Sequence, residues 1–400
     1  MTNEIHDPRL PAQLSALASF DFQSRTRLIF GVGSIERVGE LAKKLPAKRI
    51  LLVTDAGIVA AGHAEHVQKL LAAEKLSVFV FDQVRENPTT GCVDRCLAFA
   101  KDNQIDAIIG LGGGSSMDTA KGCNFLLTNG GAMRDYWGVG KATKPMLPLI
   151  AIPTTAGTGS ECQSAALIAD EVTHQKMACL DSKAAARIAI LDPALTLSQP
   201  QRVTAFTGID AIAHAVETAV TKKRNPLSIM YSREAFRLTA NSFSSVLKNP
   251  NDLEARGRML LGAAFAGTAI ENSMLGAAHS AANPLTAHYG IAHGQAVGMM
   301  LPHIVRFNGE QADAQNAYAD LAELAGISSA SENRIRWLAL MDWLNSLLET
   351  SKIPRSLAVC GVERAKISEL ADEASRQWTA EFNPRPITKA DFAKIFEAAF

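Results

Sequence analysis

The sequence predicts an α/β domain with a Rossmann-like parallel sheet, followed by an all-helical domain. In the first half of the chain, short apolar runs alternate with stretches of helical periodicity, a βαβα pattern typical of a parallel sheet with helices on both faces. Beyond about residue 200 the strand signals stop and helical stretches follow one another. The 400 residues also exceed the roughly 250–300 that one hydrophobic core supports. We therefore expect domains over residues 1–198 and 199–400.

The elements follow from β-rich runs, helical periodicity and turn residues. Strands are predicted over residues 49–55, 77–82, 106–112, 148–153 and 187–192, with helices over 58–74, 91–102 and 115–128. The later helices are predicted over residues 200–220, 226–247, 252–282, 293–307, 312–325, 332–350, 363–378 and 388–399. The stretch FGVGS at 30–34 is interpreted as a turn ahead of the main sheet.

Composition excludes several classes of partner. The chain has 40 basic and 40 acidic residues and no pronounced Lys/Arg run, so neither a nucleic-acid binder nor a polybasic membrane patch is indicated. Its start lacks the layout of an export signal, and nowhere do eighteen uncharged apolar residues run together. The six cysteines are scattered, which indicates buried thiols in a reducing compartment rather than a disulfide framework. We expect a cytoplasmic protein that binds a small molecule.

A glycine-rich turn, IIGLGGGSSMDTAKG (108–122), follows a buried strand and opens a helix. Gly112, Gly113 and Gly114 let the backbone approach a diphosphate, which the helix start attracts. The turn departs from G-x-G-x-x-G because Ser115 occupies the third glycine position. A bare glycine-rich turn is the alternative interpretation.

Two further strand ends offer groups to the same ligand. Asp55 ends an earlier strand, where a carboxylate suits adenosine ribose hydroxyls and favours NAD over NADP; its alternative role is a helix N-cap. The loop IPTTAGTGSE (152–161) supplies the hydroxyls of Thr154, Thr155 and Thr158, or is only a flexible connection.

Candidate metal ligands lie in the helical half. Asp210 and His214 are four residues apart and share a helix face, as metal ligands or as an ordinary ion pair. His279 is placed near the end of a long helix and His293 at the start of the next, although each also suits an ordinary helix-terminal histidine. One carboxylate with three imidazoles suits divalent iron or zinc.

These motifs together resemble the iron-containing (group III) alcohol dehydrogenases over nearly the whole chain, from LIFGVGSIERVGEL to NPRPITKADFAKIF. The family pattern GGGS-x-x-D-x-A-K matches residues 112–121, P-T-T-x-G-T-G-S-E matches 153–161, and G-x-D-A-x-x-H-A-x-E matches 208–217. VTD and NPT are matched at 53–55 and 87–89. The resemblance implies an architecture like that of dehydroquinate synthase.

The resemblance also implies the site. The predicted metal ligands are Asp210, His214, His279 and His293. The predicted cofactor-binding residues are Asp55, Asn87, Gly112, Gly113, Gly114, Ser115, Asp118, Thr154, Thr155, Thr158 and Lys176. Lys121 completes the family's pyrophosphate pattern.

The chain departs from the family at Asn283, where a histidine that helps to move the hydroxyl proton is usual. Asparagine cannot act as a general base, so water, a cofactor ribose hydroxyl or His288 would carry the proton. His288 also suits a loop or packing role. Ala292 replaces the family's proline before the fourth ligand.

The implied activity is reversible hydride transfer between a small alcohol or hydroxy acid and NAD, with Fe²⁺, or alternatively Zn²⁺, as Lewis acid. The alternatives are a zinc polyol or glycerol-type dehydrogenase, a dehydroquinate-synthase-like lyase and a non-catalytic nucleotide-binding relative. The lyase would need a Lys/Arg cluster that residues 268–300 lack. Because family members are commonly dimers, we expect a homodimer.

Overall fold

The computed structural model describes residues 19–173 and 175–400. Within them, the N-terminal half contains a six-stranded sheet, all of whose pairings are parallel. The strands in chain order are β1 (Arg27–Phe30), β2 (Arg49–Val53), β3 (Ser77–Phe81), β4 (Ala107–Gly112), β5 (Gly138–Val139), β6 (Leu149–Pro153), β7 (Ala165–Ala169), β8 (Lys176–Leu180) and β9 (Ile188–Leu191). The main sheet has the order β1-β9-β6-β4-β2-β3.

Helices cover both faces of this sheet, as predicted. They are α1 (Val38–Lys43), α2 (Ala56–Ala60), α3 (His63–Ala73), α4 (Thr90–Asp102) and α5 (Gly114–Asn129). Because strand side chains alternate between faces, Ile50 and Leu52 pack with α1 and α3, whereas Leu51 and Val53 pack with α4 and α5. The predicted fold class is confirmed.

The C-terminal half is helical. Its helices are α6 (Gln201–Thr218), α7 (Pro226–Ala240), α8 (Phe243–Lys248), α9 (Leu253–Ser273), α10 (Ala277–Tyr289), α11 (His293–Asn308), α12 (Ala312–Leu324), α13 (Asn333–Thr350), α14 (Ile367–Ser375) and α15 (Lys389–Ala398). Every residue of α6 from Gly208 to Thr218 is buried, so this helix runs through the core of the helical half. None of the described helices combines the length and apolarity that a membrane crossing requires.

Two strand predictions were incomplete. The stretch before FGVGS forms β1, which pairs with β9 at the edge of the main sheet, so only residues 31–34 form a turn. A second sheet, in the order β5-β8-β7, was missed. Its two longer strands are AALIA, which is rich in alanine, and KMACL, and both are poor in the β-branched residues that indicate strands.

Three predicted helices are divided. The segment 58–74 breaks before α3 at Gly62, whose φ is 81°, and 226–247 breaks between α7 and α8. The segment 252–282 breaks at Met274, whose φ of 65° is left-handed. His279 consequently lies in the first turn of α10 and not at the end of a long helix. Pro284 does not end α10, because buried packing of this helix overrides the proline signal.

Candidate metal and cofactor site

The metal-ligand candidates start from one buried face of α6. Asp210, His214 and Glu217 follow one another at helical spacing, and each is at most 4% exposed. Small neighbours, among them Ala211 and Ala213, let other elements approach this helix closely. A buried carboxylate such as that of Asp210 needs compensating partners.

Two further helices supply those partners. Asp210 Oδ1 lies 3.4 Å from His214 Nε2, 3.4 Å from His279 Nε2 and 3.8 Å from His293 Nε2, the last residue being the first of α11. Ligand atoms of Asp210, His279 and His293 all lie within 4.8 Å of one another. His214 stacks on His279 with ring centroids 4.8 Å apart. The structure thus brings all four predicted ligands together.

The outer nitrogens of two imidazoles are held by the protein. His279 Nδ1 contacts Glu217 Oε2, and His214 Nδ1 lies 3.3 Å from the carbonyl oxygen of Gly157. Both rings therefore direct Nε2 towards Asp210. Among the described residues, Asp210 Oδ1 and His279 Nε2 are buried without a hydrogen-bond partner. Such a set of nitrogen and oxygen donors fits a divalent iron or zinc ion.

Burial and charge together set the protonation of these groups. Burial opposes ionisation of Asp210, but His214 and the other imidazoles outweigh it and lower its pKa. Burial and the nearby Lys176 lower the pKa of His293 to about 3, and burial lowers that of His214. For His279, burial is outweighed by Glu217 and Asp210, which raise the pKa to about 9. His214 and His293 are therefore neutral at pH 7, as metal ligands must be, whereas His279 would release its Nε2 proton when a metal binds.

The glycine-rich turn lies where β4 meets α5. Gly112 has a φ of 145°, and a Cβ added to it would lie 2.5 Å from Ser116 Oγ. A Cβ on Gly114 would lie 2.8 Å from Thr158 Cγ2, and one on Gly113 would lie 3.3 Å from Thr155 Cγ2. No described side chain caps the start of α5, where Ser115 lies. The turn can thus present backbone N–H groups to an anion.

Asp55 has the capping role that the sequence left open, and it also faces this turn. Its Oδ1 accepts a hydrogen bond from Ile58 N at the start of α2, at 3.1 Å. Its Oδ2 lies 3.4 Å from a Cβ built on Gly112. Asn87 occupies an exposed turn before α4, with a left-handed φ of 51°.

The second loop connects the glycine-rich turn with the metal-ligand candidates. Thr154 N bonds to Gly112 O at 3.0 Å, which joins the two loops directly. Gly157 and Gly159 pack so closely on the helices that added Cβ atoms would lie 2.6 Å from Thr207 Cβ and 2.5 Å from Ala263 O. The same loop therefore places Thr158 beside Gly114 and the Gly157 carbonyl beside His214.

Asp118 contacts the second loop, and Lys176 is close enough to Asp118 and Asp210 for both charges to affect its pKa. Ser160 Oγ donates to Asp118 Oδ1 at 3.2 Å, and burial raises the pKa of Asp118 to about 6. Burial lowers the pKa of Lys176, opposed by the charges of Asp118 and Asp210. Lys176 is the first residue of β8, a strand of the sheet that the sequence did not predict.

The GGGS-x-x-D-x-A-K motif was interpreted as a pyrophosphate site, but its last residue, Lys121, does not face such a site. Its buried Nζ donates to the carbonyl oxygens of Ser160, Gln163 and Ala165 and to Ser160 Oγ, at 2.6–3.0 Å. These acceptors satisfy the ammonium within the protein. Lys121 therefore holds the segment 160–165 in place and is not directed at a ligand.

Asn283, where the family usually has a proton-transferring histidine, and His288, the alternative proton carrier, both bond to other side chains. Asn283 Nδ2 donates to Gln377 Oε1 at 3.0 Å, one helical turn beyond His279. His288 Nε2 pairs with Glu373 at 2.8 Å, and its side chain is 41% exposed. The packing interpretation of His288 fits this position better than a proton relay does.

Sequence reasoning gave Glu217 no role of its own. Glu217 is the last residue of the G-x-D-A-x-x-H-A-x-E match, and its carboxylate contacts His279. An acidic residue on a buried, alanine-rich helix face, seven residues after Asp210, was the available signal.

Comparisons with known proteins agree with the motifs. The model "Iron-containing alcohol dehydrogenase" matches residues 25–193, and "Fe-containing alcohol dehydrogenase family, C-terminal" matches 204–400. Alcohol dehydrogenase 4 of Schizosaccharomyces pombe is 34% identical, covering 93% of this chain and 87% of that protein. The NAD-dependent methanol dehydrogenase of Bacillus methanolicus is 34% identical, covering 93% and 97%. A crystal structure of 1,3-propanediol oxidoreductase has a TM-score of 0.92 at 32% identity, covering 96% and 100%. The chain belongs to the iron-containing alcohol dehydrogenase family.

Proposed function

We propose that the protein is a metal-dependent, NAD-linked alcohol dehydrogenase that interconverts a small alcohol or hydroxy acid with its carbonyl product. The observation that carries this proposal is the convergence of three imidazoles on Asp210 Oδ1, beside a loop that also touches the glycine-rich turn. A metal-ligand set and a diphosphate cradle that are contacted by the same loop are what metal-assisted hydride transfer requires.

Asp210, His214, His279 and His293 would hold the ion. A divalent ion bound there supplies a Lewis acid that polarises an alcohol or carbonyl oxygen. Iron is the metal in the family name, and zinc is the alternative because imidazole and carboxylate accept both. Among these four ligands Asp210 contributes one negative charge, and neutral His214 and His293 contribute none, so the ligands themselves only partly offset a divalent charge.

The cofactor would lie across the glycine-rich turn. Gly112, Gly113, Gly114 and Ser115 offer backbone N–H groups to the diphosphate, and Thr155 and Thr158 flank them. The Asp55 carboxylate suits ribose hydroxyls and repels a 2′-phosphate, which favours NAD. NAD, when bound, accepts or donates the hydride. Asn87, Asp118, Thr154 and Lys176 remain predicted cofactor contacts.

The route of the alcohol proton avoids residue 283. The Asn283 amide has no basic nitrogen and is tied to Gln377, and His288 is paired with Glu373. We assign the proton to water or a cofactor ribose hydroxyl, because these candidates need no side chain at residue 283.

The test combines metal and substrate. Metal-free protein is reloaded anaerobically with Fe²⁺, Zn²⁺ or no metal, and each sample is mixed with a panel of alcohols and NAD⁺ or of aldehydes and NADH, followed by NADH absorbance. We expect turnover only in the metal-loaded samples. Cofactor binding without turnover under every condition would contradict the proposal and favour a non-catalytic nucleotide-binding protein.

We also propose a homodimer. The exposed edge strand β1 and the turn after it carry Phe30 and Val32, which line an apolar groove of about 420 Å³ with Pro193 and Leu253. Within residues 19–173 and 175–400 no strand pairs with the outer edge of β1, and such an edge beside exposed apolar side chains favours pairing with another chain. Sedimentation at several concentrations tests this state, and a monomer throughout would refute it.

A division into domains at residues 198 and 199 and a cytoplasmic location remain proposals. Main-sheet strands end at Leu191 and α6 begins at Gln201, which supports the division. All six cysteines are free, which supports a reducing compartment. Limited proteolysis and cell fractionation test the two statements.

A further inference from the structure

The carboxylate of Glu217 contacts both the His279 ring and the backbone at the start of α10, the helix that carries this ring. One oxygen contacts His279 Nδ1, and the other accepts a hydrogen bond from Ala278 N at 2.7 Å. Glu217 is 3% exposed, so both bonds form away from bulk water. Charge-assisted bonds of this kind are stronger than neutral ones.

The second of these bonds replaces a missing helix cap. α10 begins after Gly276, which has no side chain to bind the first N–H groups of the helix. Glu217 binds Ala278 N, and Asn383 Oδ1 lies 3.4 Å from Ala277 N. A Cβ on Gly276 would lie 3.0 Å from Glu217 Oε1, so the glycine leaves room for the carboxylate. α6 therefore anchors the start of the helix that carries His279.

The first bond selects which nitrogen of His279 is free. An ionised carboxylate only accepts hydrogen bonds, so the partner Nδ1 must carry a proton. In a neutral imidazole the lone pair is then on Nε2, which lies 3.4 Å from Asp210 Oδ1. Glu217 thus acts on both the position of the helix and the orientation of the ring.

We infer that Glu217 is a positioning residue of the metal centre, which holds His279 with Nε2 directed at the ion and fixes the helix that carries it. This inference rests on the proposed function, because it requires that Asp210, His214, His279 and His293 bind a metal. Partners of this outer kind, when mutated, typically cost 10–100-fold in metal affinity.

The test measures Co²⁺ binding by visible absorbance in chelator competition, without an activity assay. Glu217→Gln keeps an oxygen for Ala278 N but turns an NH₂ group towards His279 Nδ1, which must then accept and leave the proton on Nε2. We expect about 10–100-fold weaker Co²⁺ binding and an altered Co²⁺ spectrum, with the metal-free protein still folded. Equal affinity and an unchanged spectrum would overturn the inference.

Asn383→Ala is the control, because it removes the other cap of the same helix start, together with bonds to Asn308 and Arg385, without touching an imidazole. We expect its Co²⁺ affinity to stay close to that of the unmodified protein. An equal loss in both variants would reduce Glu217 to a helix cap and overturn the tautomer argument.

A structure of the metal-loaded, unmodified protein decides the point if the Gln variant does not fold. Coordination through His279 Nε2 with Nδ1 on Glu217 supports the inference, and coordination through Nδ1 overturns it. An unmodified chain that takes up no Co²⁺, Fe²⁺ or Zn²⁺ would refute the proposed function and the inference with it. Metal uptake that is insensitive to Glu217→Gln would refute the inference alone.

Discussion

The helical half and the α/β half build their parts of the site in different ways. On α6, α10 and α11 the candidate ligands are side chains on buried helices, oriented by further contacts such as those of Glu217 and Gly157. At the end of β4 the candidate cofactor contacts are mainly backbone, exposed by the absence of side chains at residues 112–114. Substitutions should therefore act in the helical half by removing a group, and in the α/β half by adding one.

The largest effect is expected where a side chain is itself the ligand. His279→Ala removes one of the donors around Asp210, and its loss should exceed the 10–100-fold effect of an outer partner. We expect metal content and kcat/KM both to fall more than about 100-fold. Metal analysis and steady-state kinetics measure this. His288→Ala, on the same helix but paired with Glu373 at the surface, is the control and should retain both.

A second test concerns the buried charges between the two halves. Burial raises the pKa of Glu161 from 4.5 to about 7. Between these values the folded state binds a proton that the unfolded state does not, so the free energy of unfolding decreases as pH rises, by up to roughly 3 kcal/mol. Asp118, raised from 3.8 to about 6, acts in the same direction.

Glu161→Gln should therefore flatten part of this pH dependence and raise stability relative to the unmodified protein at pH 8 more than at pH 5. Urea unfolding at both pH values measures the difference. If the free energy of unfolding changes equally with pH in the two proteins, Glu161 has the same pKa in the folded and unfolded states, which would contradict the prediction.

The two halves also differ in what the sequence could predict. The main-sheet strands are continuous buried apolar runs such as ILLV and AIIGLG, and this pattern can be recognised in the sequence without knowing the tertiary contacts. The metal-ligand candidates were identified from motifs, and the structure brings Asp210, His214, His279 and His293 together. The predicted position of His279 at the end of a long helix was wrong. The helix breaks at Met274, and methionine is not a residue type that indicates a left-handed φ.

What remained hidden depends on long-range partners. Lys121 and Glu217 both lie inside family motifs, yet the groups they bond to are 39–62 positions away in the chain. The strand that carries Lys176 was missed because its sequence, KMACL, has no β-branched or aromatic residue and packs as well in a helix as in a sheet. Spacing along the chain cannot reveal such contacts, since they exist only after the halves have packed.

The glycine-rich turn offers a test of added bulk. Gly114→Ala places a Cβ 2.8 Å from Thr158 Cγ2, whereas Gly113→Ala places one 3.3 Å from Thr155 Cγ2. We expect Gly114→Ala to weaken NAD binding about tenfold, which corresponds to about 1.4 kcal/mol, and Gly113→Ala to weaken it less. Titration calorimetry with NAD⁺ measures both. The reverse order would mean that the contact with Thr158 does not shape the cofactor cleft.

The smallest effect is expected at Asp55, where a side chain contributes to the α/β half. Asp55→Asn keeps an oxygen for Ile58 N, and asparagine caps helices as well as aspartate does, so stability should change little. The substitution removes the negative charge that faces Gly112 and would repel a 2′-phosphate. We expect the preference for NAD over NADP, measured as the ratio of kcat/KM values, to fall several-fold, equivalent to about 1 kcal/mol. A loss of stability with an unchanged ratio would make Asp55 a cap alone, and coenzyme choice would then depend on the backbone of this half.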